Sequence, residues 1–164
     1  MKEQSNKSML NKHGFTLMEL LVVISVIAIT AAVGFVALDP ASRLDDAKNS
    51  ARWTDVSAVL NAIKTDQIDN GGSYLASIAA IDADADYVIG TSGTDCDSGC
   101  SGATTPNMAC VNLAGLVTEG YMGTIPVGPD SGAVAGETSY FLRRLSTGGV
   151  KVTACASTTI AITR

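Results

Sequence analysis

The sequence is short of the side chains that most enzymes use for proton transfer. Its 164 residues include a single histidine, and aromatic residues make up only 5%. It contains no recognisable Ser/His/Asp set, no glycine-rich phosphate loop and no carboxylate pair in a pocket-like pattern. Because histidine is the commonest general acid or base, these shortages predict a protein that is not an enzyme and has no catalytic residues.

Positive charge is also scarce. Lysine and arginine number 11 against 16 aspartates and glutamates, which gives a formal net charge of −5 at pH 7. Proteins that bind nucleic acid neutralise phosphates with basic residues, and an acidic surface does not attract the phosphate backbone. We therefore expect no direct nucleic-acid partner.

The sequence has one long apolar run, at residues 15–38, and Glu19 is its only charged residue. As a helix rising about 1.5 Å per residue, this run reaches about 36 Å, enough to cross a hydrocarbon core of about 30 Å. A cleaved secretory signal has an apolar region of only about 7–15 residues, and so small a chain cannot surround a helix that is apolar on every side. The run predicts a transmembrane helix.

Residues 1–14 form a basic leader, with three lysines against one glutamate. Basic residues beside a span tend to stay in the cytoplasm. We therefore expect a single-pass protein of the cytoplasmic (inner) membrane with the rest of the chain outside. The remaining length suits one outer domain of about 100 residues.

The position of Glu19 within the apolar run is energetically unfavourable. A carboxylate within an apolar span costs roughly 2–3 kcal/mol at mid-membrane and less near the edge, so such a residue is a functional hypothesis by default. A plain anchor leaves it unexplained, and we expect it to have a cationic partner.

Residues 14–21, placed between a basic leader and a long apolar helix, resemble the processing signal of type IV pilins and of type II secretion pseudopilins. The resemblance implies cleavage between Gly14 and Phe15 by a prepilin peptidase and N-methylation of Phe15. It also implies an assembly ion pair between Glu19 and the Phe15 amine of a neighbouring subunit. An α-amino group titrates at about 7.7–8 and stays cationic when methylated, which suits that pair.

Cleavage would change the composition of the chain. Loss of residues 1–14 leaves 8 basic against 15 acidic residues, a net charge of −7, and removes His13. The sequence departs from the family pattern near the end of the apolar run, where many members carry a proline and this chain has Gly34. Pro40 is the next helix breaker, so we expect a kink around residues 36–40.

Residues 39–69 are expected to form an amphipathic second half of the helix. Asp39 and Pro40 fit an N-cap and a first-turn proline, and residues 70–72 fit a helix stop. Residues 41–63 also resemble the second half of the pilin helix. The apolar stripe expected to pack on the protein's own domain is Trp53, Val56, Val59, Leu60 and Ile63. The residues expected on the other faces are Arg43, Asp45, Asp46, Lys48, Asn49, Arg52, Asp55 and Lys64.

Residues 70–110 read as a variable loop region, with a short strand or helix at 74–81 and an extended piece at 87–89. Asp82, Asp84 and Asp86 alternate, but the glycine and glutamate that an EF-hand loop requires are missing at the matching positions. Some pseudopilins bind calcium in a later loop, where Asp130 or Glu137 could supply oxygens. We prefer a solvated acidic loop with no metal and no cofactor.

The four cysteines, an even number, are expected to form two disulfides outside the cytoplasm. The spacing of Cys96 and Cys100 is one residue too long for the usual zinc or redox motif. Of the three pairings, we favour Cys96–Cys100 with Cys110–Cys155, which would tie the loop entrance to a late strand.

Residues 111–164 are expected to form an antiparallel sheet region. Alternating segments at 138–145 and 150–156 flank a glycine-containing turn and predict a hairpin, and 158–163 predict a last strand. Arg143 and Arg144 are expected on a solvated strand face. Together, the predicted helix and strands indicate an α+β, pilin-like fold in which a long N-terminal helix packs on a small C-terminal antiparallel sheet.

We interpret the chain as a major-pilin-like structural subunit of a type IV pilus-type filament. The filament would be homo-oligomeric and helical, extracellular or periplasmic, and built by inner-membrane assembly machinery from subunits held in membrane lipid. The alternatives are a type II secretion pseudopilin and a membrane-anchored extracytoplasmic binding domain. The four cysteines, and Leu75 rather than proline after Tyr74, favour the pilin over the pseudopilin.

Overall fold

The computed structural model describes residues 14–93, Cys96, Cys100 and 109–164. The chain divides into two compact units, Met1–Arg43 and Leu44–Arg164. The elements in chain order are α1 Leu17–Leu38, α2 Pro40–Asp69, α3 Ala76–Ala79, β1 Asp86–Val88, α4 Ala114–Thr118, β2 Tyr140–Arg144, β3 Val150–Ala154 and β4 Ser157–Thr163. The predicted α+β plan, a long N-terminal helical region and a small antiparallel sheet, is confirmed.

Helix α1 has no buried residue. By length and composition it belongs to the one described helical stretch that is able to cross a membrane. It ends at Leu38, and Asp39 takes a left-handed conformation with φ 37°. Asp39 then caps α2 weakly, since its carboxylate accepts a 3.5 Å hydrogen bond from the Ser42 N–H. The interruption therefore falls within the predicted range of 36–40.

Helix α2 carries the predicted apolar stripe, with two corrections. Val56, Val59, Leu60 and Ile63 are buried in the core. Trp53 is 44% exposed and does not belong to the stripe. Arg52, which was predicted to lie on another face of the helix, is buried. Ala62 and Asp66, which were not part of the predicted stripe, are buried as well.

The predicted stop of α2 is confirmed. Gly71 and Gly72 both have positive φ, and the Gly72 N–H donates to the Gln67 carbonyl at 2.7 Å. Glycine adopts this left-handed conformation without the steric cost that a Cβ brings.

The sheet is antiparallel throughout and has the strand order β1-β2-β3-β4. The predicted hairpin is β2 and β3, closed by the Leu145 N–H bonding to the Gly149 carbonyl at 2.8 Å. The predicted last strand is β4. The extended piece expected at 87–89 becomes β1, so the sheet begins earlier than the predicted region 111–164.

The expectation of a solvated strand face for Arg143 and Arg144 is wrong, because both side chains are half-buried. Arg143 forms an ion pair with Asp86, its cross-strand partner in β1. Arg144 donates to the Ile81 carbonyl at 2.8 Å.

The predicted disulfide pairing is also wrong. Cys96 is bonded to Cys110 and Cys100 to Cys155, with Cα–Cα distances of 5.3 and 5.0 Å. The Cys110 N–H donates to the Ser92 carbonyl, and this contact holds Cys110 beside the segment that leads to Cys96. Together with Val88 and Phe141, Cys96 and Cys100 form a small buried cluster separate from the main core.

Candidate functional site

The start of α1 is closed by reciprocal hydrogen bonds between Thr16 and Glu19. The Glu19 Oε2 atom accepts from the Thr16 N–H at 2.8 Å and from the Thr16 hydroxyl at 2.9 Å. In return the Glu19 N–H donates to Thr16 Oγ1 at 3.2 Å. This is a capping box, in which an N-cap side chain and the residue three positions later satisfy backbone N–H groups that have no partner within the helix.

The capping box gives Glu19 a role that the sequence interpretation missed. That interpretation looked for a cation, whereas the nearest partner is Thr16 on the same chain. The signal was present in the sequence, because Thr-x-x-Glu before an apolar run is typical of a capped helix start. The carboxylate also lies in the first turn of α1, where the helix dipole favours negative charge.

Only one of the two carboxylate oxygens takes part in this cap. Glu19 Oε2 accepts both bonds from Thr16, and Oε1 accepts none from the described part of the chain. A further donor can therefore bind Oε1 without displacing Thr16.

The backbone before the cap is open. Phe15 is 83% exposed, and a Cβ added at Gly14 would meet no atom within 4 Å. Gly14 and Phe15 both precede the first residue of α1. The structure therefore places the expected scissile bond outside the helix, next to Thr16. Within one described chain, no hydrogen bond joins Phe15 to Glu19.

The polar side chains farther along α1 are satisfied by the helix itself. The Ser25 hydroxyl donates to the Leu21 carbonyl at 2.7 Å, and the Thr30 hydroxyl donates to the Val26 carbonyl at 2.9 Å. The remaining surface of α1 is apolar. A helix that satisfies its own polar groups in this way is compatible with lipid.

The carboxylates considered for calcium bind protein groups in the structure. Asp82 accepts a hydrogen bond from the Tyr87 hydroxyl, and Asp84 accepts one from the Ser146 N–H. Asp86 forms an ion pair with Arg143, and Asp130 forms one with Arg52. Hydrogen bonding to Ser146 holds the pKa of Asp84 below its ordinary value. Within the described residues, no group of three or more His, Cys, Asp or Glu side chains could hold a metal ion.

The capped helix start lies within a segment that matches a known protein-family motif. Residues 9–35 match the prokaryotic N-terminal methylation motif. This is the prepilin-type signal, and it contains Gly14, Phe15, Thr16 and Glu19. No curated protein and no solved structure matches the chain.

The prepilin-type signal indicates a type IV pilin-like or pseudopilin precursor. It indicates a structural subunit rather than an enzyme, and it implies processing by prepilin peptidase and assembly into a filament. The exposed apolar helix that follows the signal fits anchoring in a membrane before assembly.

Proposed function

We propose that the chain is a major-pilin-like subunit of a type IV pilus-type filament. Prepilin peptidase cuts it between Gly14 and Phe15, Phe15 is N-methylated, and α1 carries the subunit into a homo-oligomeric helical filament. The observation that carries this proposal is the coincidence of three features at one place: the prepilin-type signal, the Thr16–Glu19 cap and the exposed apolar helix.

The cap supports a two-stage role for Glu19. In the membrane, Thr16 satisfies Oε2 and holds the carboxylate at the helix start. During assembly, the Phe15 amine of a neighbouring subunit binds Oε1, which accepts no bond from the described part of the chain. An ammonium–carboxylate pair removed from water is stable only when its remaining hydrogen-bonding atoms are satisfied, and Thr16 supplies that second set of bonds.

The proposal assigns a role to each part of the chain. Residues 1–14 are the leader that is removed, 15–38 span the cytoplasmic membrane and later form the filament core, and 39–69 are the amphipathic half of the helix. Residues 70–110 and 111–164 form the outer domain. The partners are the peptidase, the inner-membrane assembly machinery, membrane lipid before assembly and further copies of this chain, with no cofactor.

The experiment that tests the proposal is electron microscopy of cells and of sheared surface fractions, combined with mass spectrometry of the main filament protein. We expect surface filaments whose main protein begins with methylated Phe15. The pseudopilin alternative predicts a processed protein without surface filaments and a defect in secretion when the gene is deleted. The anchored-domain alternative predicts a protein that stays in the membrane fraction as single subunits.

A further inference from the structure

A cluster of acidic groups lies at the C-terminal end of α2, far along the chain from the prepilin-type signal. A cavity of about 420 Å³ opens there between the end of α2 and the residue that follows α4. Its polar lining includes Asp66, Asn70, Ser73 and Glu119. The proposed function makes no use of this cavity.

Asp66 is the buried member of the cluster. Its side chain has no exposed surface. Asp66 Oδ1 accepts a 2.7 Å hydrogen bond from the Asn70 amide, but Oδ2 has no hydrogen-bond donor among the described residues. An ionised carboxylate oxygen buried without a donor is strongly disfavoured.

Among the described residues, the groups that act on this cluster add negative charge. Helix α2 contributes Asp69, and the turn after α4 contributes Glu119 and Tyr121. The last turn of α2 contains no basic residue, and this end of a helix is already the negative end of its dipole. The Lys64 ammonium donates elsewhere, to Gln67 at 2.9 Å and to the Tyr74 hydroxyl at 3.3 Å.

Glu119 supplies the missing donor if it carries a proton. Its carboxyl group lies within hydrogen-bonding reach of Asp66, and two ionised carboxylates cannot bond to each other. The Glu119 side chain is exposed, yet desolvation of its carboxyl group, and after it the contact with Asp66, raise the pKa of Glu119 above its ordinary value. Burial, followed by the charge of Asp69, raises the pKa of Tyr121, so its hydroxyl stays neutral.

We propose that a protonated Glu119 bonds to the buried Asp66 carboxylate and forms a pH-sensitive latch between α2 and the turn after α4. In the closed latch, the Glu119 O–H donates to Asp66 Oδ2. When the pH rises, that proton passes to water, the two carboxylates repel each other, and the exposed Glu119 side chain turns away from Asp66. The latch requires only the outer domain, so it stands whether or not the chain assembles into filaments.

The direction of the pH dependence follows from the raised pKa. A carboxyl group that binds its proton more tightly in the folded state stabilises the fold fully below its unfolded pKa, and this contribution is lost as the pH rises through the folded value. The stability that the latch contributes should therefore fall as the pH rises from about 4.5 towards neutrality.

The direct test is carbon-13 NMR titration of the Asp and Glu side-chain carboxyl groups in the full mature chain in detergent. In the wild type we expect Glu119 to titrate above the other glutamates. In Asp66→Asn its midpoint should return to the ordinary range. An ordinary Glu119 midpoint in the wild type would overturn the latch.

Thermal unfolding supplies a second readout with matched variants. Glu119→Gln keeps a donor without a titrating proton, so its Tm at pH 7.5 should exceed the wild-type Tm, and the difference should vanish near pH 4. The exposed Asp45→Asn removes the same charge and should leave the pH profile unchanged. If calcium chloride raises the wild-type Tm at pH 7.5 but not that of Glu119→Gln, a cation rather than a proton bridges the pair and the proposal is wrong.

Discussion

Arg52 on α2 forms an ion pair with Asp130, which lies 78 residues later in the chain. The guanidinium also donates to Asn49 on the same helix at 2.6 Å. The Arg52 side chain is 8% exposed and that of Asp130 28%, so the pair is largely shielded from water. One contact thus fastens the loop before β2 to the helix.

We expect Arg52→Ala to lower the free energy of unfolding of the outer domain by about 3 kcal/mol, because removing one member of a buried pair leaves the other charge uncompensated. The measurement is urea unfolding of the mature protein in detergent, followed by near-UV circular dichroism. Arg43→Ala, at an exposed position of the same helix, is the control and should change little. Equal effects of the two substitutions would contradict a structural role for the pair.

The disulfides should be mapped by mass spectrometry of peptides prepared without reduction. We expect one linked species joining Cys96 to Cys110 and another joining Cys100 to Cys155. In the loop-entropy view the two bridges stabilise the domain by about 3 and about 4 kcal/mol, so Cys100→Ser with Cys155→Ser should cost more than Cys96→Ser with Cys110→Ser. Stoichiometric labelling of the native protein by a thiol reagent would be incompatible with this arrangement.

Processing should depend on the open backbone at Gly14. Gly14→Val places a branched side chain at the expected scissile bond, so the chain should remain in the membrane with its leader attached. Intact-mass spectrometry of the protein from the membrane fraction shows whether the leader is still attached. As a control, Gly34→Ala changes a glycine within α1 whose added Cβ would meet no atom within 4 Å, and it should be cut normally. Assembled protein that keeps Met1 would refute the cleavage site.

Glu19 should be required for assembly and dispensable for insertion. Glu19→Ala removes the carboxylate half of the cap and the charge, so the protein should insert and fold outside yet yield few or no filaments. Glu19→Gln retains the shape and one acceptor oxygen but loses the charge, and filament yield should fall strongly there too. Thr30→Ala removes a hydroxyl that only bonds the helix backbone and should leave filament yield unchanged.

The measurement is the number of filaments per cell by electron microscopy, in cells whose only copy of the gene encodes the variant. Normal filaments from Glu19→Ala would exclude the ion-pair mechanism. Loss of filaments in Glu19→Ala but not in Glu19→Gln would show that the cap, and not the charge, matters for assembly.

The features that sequence analysis predicted correctly depend on neighbours in the chain. The stripe from Val56 to Ile63 repeats at helical spacing, Gly71 and Gly72 stop the helix, and the hairpin strands alternate around a short turn. In each case the pattern and the structure that it predicts lie within a few residues of each other.

The missed Thr16–Glu19 cap is a local pattern, but the other failures described here involve residues that are distant in sequence. Burial of Arg52 depends on Asp130, and burial of Asp66 depends on elements that follow the loop region. The choice among three cysteine pairings depends on where β1 and the turn between β3 and β4 bring the chain together. The spacing of the four cysteines in the sequence does not decide their pairing, because loops of the same length can adopt different conformations.

The two disulfides overlap along the sequence, because Cys100 lies inside the Cys96–Cys110 loop while Cys155 lies beyond it. A protease that cuts one peptide bond anywhere between Cys96 and Cys155 therefore produces two pieces that remain covalently joined. On a gel the nicked protein would migrate near its full size until a reductant is added. For a molecule displayed outside the cell, a single proteolytic cut between Cys96 and Cys155 would not detach any part of it.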